Sequence, residues 1–100
     1  MPIIEVNKNN FDEVIKNETV IIDFWASWCN PCRMLGLELE ELAKEDSSLL
    51  IGKINVDVEE ELAVKFNIRS IPHLFIYKKG QLVNDILGYV SKDVIKSKLR

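Results

Sequence analysis

The sequence predicts an α/β domain spanning residues 1–100, with a central mixed five-stranded sheet flanked by four helices. Three observations carry that expectation. Residues 19–25 form a nearly continuous apolar run rich in β-branched and aromatic side chains, as a central strand buried on both faces requires. Strand-like and helix-like segments alternate along the first two thirds of the chain, the order of β-α-β units. Lys78, Lys79, Gly80 and Gln81 then join two strand-like runs by a linker of hairpin length, so the last strands should pair antiparallel.

The elements follow in order. Residues 3–6 alternate weakly and read as a first strand. Asn10 is placed to cap a helix that carries Phe11, Val14 and Ile15 on one face, with Glu13 three residues on as in a capping box. After the strand at 19–25, a helix runs from Pro31 to about Lys44. Leu35, Leu39, Leu42 and Ala43 recur there at helical spacing, while Glu38, Glu40, Glu41 and Lys44 can face solvent. Proline suits a helix's first turn, where its missing N–H costs nothing. Residues 49–56 form the next strand. Asp57 with Glu60 gives a second capping signature, ahead of a short helix carrying Leu62, Ala63 and Phe66. Residues 74–77 and 82–87 are the hairpin strands. Past Gly88, Ser91 caps a last helix whose buried stripe is Val94, Ile95 and Leu99. No internal repeat is present.

Composition narrows the class of protein. The 100 residues are 47% hydrophobic and 29% charged, close to a globular average, so one self-sufficient domain is expected. A net charge of −3 with interspersed signs leaves no basic stripe for nucleic acid. The longest apolar runs fall far short of the roughly 20 residues that span a bilayer. The start, Met1, Pro2, Ile3, Ile4, Glu5, lacks the basic and long apolar regions of a secretory signal, which points to the cytoplasm.

The chemistry concentrates in Trp28, Cys29, Asn30, Pro31 and Cys32, where a buried strand gives way to a helix. A cysteine at a helix N-terminus is favoured as thiolate, because unpaired backbone N–H groups and the helix dipole stabilise negative charge. Cys29 holds that position and should be the more accessible thiol. Cys32 lies one turn along, where its sulfur can attack a disulfide formed between Cys29 and a substrate. So short a loop gains little entropic stabilisation from a structural bridge. The rival reading, half of a zinc site, needs two further ligands, and only His73 remains to offer one. Asp23 interrupts the apolar run of the central strand. A carboxylate there loses hydration, so its pKa should rise, which makes it a candidate proton acceptor for Cys32 with Lys53 as electrostatic partner.

The segments Asp23-Phe24-Trp25-Ala26, Trp28-Cys29-Asn30-Pro31-Cys32, Lys53-Ile54-Asn55-Val56-Asp57, Arg69-Ser70-Ile71-Pro72, Lys79-Gly80 and Gly88 together resemble the thioredoxin family, in the family order and over nearly the whole chain. The resemblance implies the thioredoxin fold and a protein disulfide reductase. It implies that Cys29 is the attacking nucleophile, Cys32 the resolving thiol, and Pro72 a cis proline opposite the pair. It also implies that Trp28, Asn30, Pro31, Ile71, Pro72 and Gly88 border the surface where a substrate peptide docks. No bound cofactor is implied. The resemblance also implies that the partners are disulfide-containing proteins and that a separate thioredoxin reductase re-reduces the redox-active Cys29–Cys32 disulfide, and a monomer is the plainest expectation.

Three positions depart from the family pattern: Asn30 where glycine is customary, His73 where threonine is common after the cis proline, and Leu37 where a proline often kinks the helix. The first two bear on the redox potential. His73 reads as a strand residue without catalytic duty. Two other functions remain open on the sequence: a thiol oxidase or isomerase of the same fold, and a non-catalytic interaction module. The intact cysteine pair argues against the second.

Overall fold

A computed structural model describes residues 3–100. Met1 and Pro2, which begin the stretch searched for a secretory signal, lie outside the described residues. The chain runs β1 (Ile3–Glu5), α1 (Phe11–Val14), β2 (Val20–Trp25), α2 (Asn30–Glu45), β3 (Leu50–Asn55), α3 (Glu60–Lys65), β4 (His73–Lys78), β5 (Gln81–Leu87) and α4 (Lys92–Lys98). The strands form one five-stranded sheet in the order β1-β3-β2-β4-β5. β3 pairs parallel to both β1 and β2, whereas β4 pairs antiparallel to β2 and to β5.

β2 is central, and Val20, Ile21, Ile22, Asp23 and Phe24 are all fully buried. Alternate residues of a strand point to opposite faces, so β2 serves two cores. Ile21 joins Ile51, Leu74 and Ile76 under Leu35, Leu39 and Leu42 of α2 and Ile95 of α4. Val20, Ile22 and Phe24 join Ile54, Phe75 and Tyr77 under Phe11 and Val14 of α1 and Leu62 of α3. The hairpin between β4 and β5 turns on Lys79 (φ 51°) and Gly80 (φ 87°). Two successive positive φ values match the right-handed twist of the paired strands, and glycine adopts one of them without strain.

Three local expectations are met differently, one by a local turn and two by tertiary packing. Asn10 stands before α1, but its side chain accepts the Asn7 N–H at 2.8 Å and donates to the Glu5 carbonyl at 3.1 Å instead of capping the helix. A tight local turn outcompetes the capping box there. α3 begins at Glu60 behind Glu59 with no side-chain cap, because the Asp57 carboxylate accepts the Trp28 indole N–H at 2.9 Å. In α4 Ser91 Oγ does accept the Val94 N–H, and Ile95 is buried, but Val94 is exposed and Leu99 only partly covered. A helix of seven residues against a single neighbouring helix turns only a narrow stripe inward.

Candidate active site

The site forms at the carboxyl end of β2, where backbone bonding dictates the geometry. The Trp25 carbonyl accepts the Val56 N–H at 2.9 Å, extending the β2–β3 ladder by one residue before the chain turns. Cys29 is extended (φ −97°, ψ 108°) and is the N-cap of α2, with Pro31 in the first turn. Its Sγ accepts the Cys32 N–H at 3.2 Å. The sulfur thus takes one of the unpaired donors of the helix start, which is the physical basis for favouring a thiolate once the bond is reduced.

Cys29 and Cys32 are joined in a disulfide, with Cα atoms 5.2 Å apart. Cys29 is 5% exposed and Cys32 2%, so the expected order holds but the contrast is slight. Cys29 is less accessible than its position implied because Ala26, Trp25, Val56 and Ile71 pack around the pair. The Ile71–Pro72 peptide bond is cis, and Cys29 Sγ stands 3.9 Å from the Ile71 carbonyl. Gly88 (φ 89°) donates its N–H to the Pro72 carbonyl at 2.8 Å, tying the end of β5 to the proline. Ile71 is half-buried and Pro72 buried; Trp28, Asn30 and Pro31 are exposed. Trp28 is 68% exposed and its indole N–H is bonded to Asp57.

On β2, which leads to the cysteines, Asp23 is the one buried charged side chain among the described residues. The register sets Asp23 beside Lys53, whose Nζ lies 3.7 Å from Oδ2, beyond hydrogen-bond distance. Neither carboxylate oxygen has a hydrogen-bond partner among the described residues. Burial pushes the Asp23 carboxyl up from 3.8 to about 6, against the opposing pull of the Lys53 charge. Lys53 itself lies over the Trp25 ring, 4.8 Å from the centroid.

His73 opens β4, with Nε2 2.8 Å from Asp85 Oδ2 and its ring stacked on Phe75 at 4.3 Å. Among the described residues no group of three or more His, Cys, Asp or Glu could hold a metal ion. Two contacts at the site escaped the sequence. Asp57 was legible as a cap and as part of a family-like segment, but nothing in the pattern reveals Trp28 as its partner across the fold. Gly36 lies where an added Cβ would meet Lys53 Nζ at 3.6 Å, a proximity no local signal encodes.

A redox-active cysteine pair at the N-terminus of a helix, following the central strand of a mixed sheet that carries a buried carboxylate, defines a thiol–disulfide oxidoreductase. Comparison with known proteins gives the family. The Thioredoxin family model matches residues 2–100. Thioredoxin from Staphylococcus haemolyticus is 42% identical over 94 residues, covering 93% of this chain and 90% of that one. Thioredoxin from Pyropia yezoensis is 42% identical over 102 residues, covering 99% and 95%. The structure of a mutant thioredoxin from Halobacterium salinarum NRC-1 superposes with a TM-score of 0.89 at 31% identity, covering 97% of this chain and 87% of that one. The chain belongs to the thioredoxin family, and it reduces disulfides by dithiol–disulfide exchange.

Proposed function

We propose that the chain reduces disulfides in other proteins with Cys29 as nucleophile and Cys32 as resolving thiol, and that Asp23 receives the proton of Cys32. The observation that carries this reading is the position of Cys29 Sγ, at the N-cap of α2 and 3.9 Å from the Ile71 carbonyl. In the dithiol form, the Cys29 thiolate attacks one sulfur of the substrate disulfide. A mixed disulfide forms as the substrate bond breaks, and the departing sulfur takes up a proton from water. Cys32 then gives its proton to the Asp23 carboxylate and attacks Cys29 Sγ, releasing the second substrate sulfur as thiolate. Two electrons pass to the substrate and the Cys29–Cys32 disulfide remains.

A carboxyl pushed up to about 6 is ionised yet basic at neutral pH, which suits a proton acceptor. Lys53 is the positioning residue for that charge. We assign Trp28, Asn30, Pro31, Ile71, Pro72 and Gly88 to substrate docking, an assignment supported by Ile71 packing against the cysteines and Gly88 bonding to Pro72. The half reaction needs no bound cofactor, since a separate thioredoxin reductase restores the dithiol. This chemistry belongs in a reducing compartment, and we place the protein in the cytoplasm, acting as a monomer that holds the whole site in one chain. No helix among the described residues is long and apolar enough to cross a membrane.

The serine variants of the two cysteines test the assignment. Cys32→Ser keeps the attacking thiol and loses the resolving one, so mixed disulfides with target proteins should accumulate on non-reducing gels and disappear with added dithiothreitol. Cys29→Ser should trap nothing. Equal trapping by both variants, or none by Cys32→Ser, would overturn the roles.

A further inference from the structure

Beside the disulfide, α2 carries a surface stripe that thiol exchange leaves unexplained. Asn30, Arg33, Met34 and Leu37 share the outward face of its first two turns and line a shallow groove open to solvent. Met34 is 53% exposed and Leu37 63%. An outward helix face is ordinarily polar, and this one becomes so immediately below, at Glu40, Glu41 and Lys44. The apolar part is confined to the end that holds Cys29.

Charge gives the groove a direction. Arg33, at the disulfide end, is exposed and has no ion-pair partner among the described residues. At the far end Glu40 is likewise exposed and unpaired among them, while Glu41 contacts Lys44 at 3.4 Å. Moving away from Cys29, the surface is therefore positive, then apolar, then negative.

We propose that this groove binds an extended segment of the substrate protein adjoining its disulfide, with an acidic side chain near the attacked cysteine, a large apolar one next and a basic one beyond. The inference rests on the exchange reaction proposed for Cys29. It follows from charge complementarity and from continuity with the sulfur pair, since Asn30 both follows Cys29 and lines the groove. Met34 and Leu37 lie roughly 8 to 12 Å along the helix axis from Cys29, a distance that about three or four residues of extended chain span. The apolar anchor therefore sits three or four residues from the attacked cysteine.

The test uses synthetic peptides whose single cysteine is disulfide-linked to a chromogenic aromatic thiol, reduced by the dithiol form of the protein. One peptide carries Asp, Leu and Lys in that order away from the cysteine; a second exchanges Asp and Lys; a third replaces Leu with Ser. Each is made in both chain directions. In one direction kcat/KM for the first should exceed that for the third by about tenfold, the discrimination that burying most of one leucine side chain supplies, and that for the second by about threefold, the smaller discrimination of exposed charge contacts. Leu37→Gln should abolish the Leu-over-Ser preference and Arg33→Gln the charge-order preference. Each comparison is a ratio within one variant, so a general change in thiol reactivity cancels. The free symmetric aromatic disulfide, which has no peptide to dock, reports the exchange step itself and should react equally with wild type and Leu37→Gln. Normal reduction of that disulfide without any preference among peptides would overturn the groove and leave the exchange reaction standing. A preference that survives both substitutions would overturn it as well. Failure to reduce the free disulfide would overturn both.

Discussion

Replacing Asp23 with asparagine should stabilise the oxidised protein at neutral pH and change its stability little near pH 4. The Asp23 carboxyl is pushed up to about 6 in the folded chain, from 3.8 when solvated, with burial as the cause. Between those values the folded state binds more protons than the unfolded one, so stability falls as pH rises. The stabilisation is fully present below about 3.8 and is lost as pH passes 6. A difference of about two pKa units at 1.36 kcal/mol each amounts to about 3 kcal/mol. Asparagine stays neutral throughout and removes this loss. Glu45 and Asp46, whose carboxyls are held below their usual range by Lys92 and by Ser48, give slopes of opposite sign, but they are common to both proteins and cancel in the difference. Urea unfolding of wild type and Asp23→Asn at several pH values from 4 to 7.5 provides the measurement. The stability difference should grow by about 2.5 kcal/mol in favour of the variant across that range, about half a kcal/mol of the effect being already present at pH 4. A difference constant within about 0.5 kcal/mol would refute a raised Asp23 pKa. The same pair of proteins separates structure from mechanism: disulfide reduction by wild type should rise through pH 6, and by Asp23→Asn should be slower with that rise missing.

Other perturbations follow from the packing. A Cβ on Gly52 would stand 2.6 Å from Val6 Cγ2 and 3.0 Å from Ile22 Cδ1, so Gly52→Ala should destabilise by about 1–3 kcal/mol in chemical denaturation, as overpacking does. Lys79 holds a φ of 51° that asparagine tolerates better, and Lys79→Asn should raise stability by a few tenths of a kcal/mol with activity unchanged in a disulfide-reduction assay. Asp57→Ala frees the exposed Trp28 indole, which should lower the anisotropy of tryptophan emission and raise KM for protein disulfides more than it lowers kcat.

Each strand existed in the sequence as a run of apolar residues, and each long helix as a repeat, because burial of a face imposes a period that local chemistry records. β2 was legible from its apolar run alone, and α2 from Leu35, Leu39 and Leu42. The cysteine pair was legible for a related reason: helix-start chemistry depends on residues only a few positions apart. The raised pKa of Asp23 also followed locally, from a carboxylate set in an apolar strand. The partners did not. Asn10 and Asp57 both carried the pattern of a cap, and each went to another bond whose strength depends on where Glu5 or Trp28 comes to lie. The near-equal burial of Cys29 and Cys32 depends on Val56 and on Ile71, 42 residues from Cys29 in the chain, as well as on the adjacent Trp25 and Ala26, and Val94 was left exposed because α4 turns only a narrow stripe inward. Periodicity and nearest-neighbour chemistry are properties of a segment and can be read from it. Which donor reaches which acceptor, and how far a side chain is covered, depend on distances between segments, and those exist only once the sheet has closed its two cores.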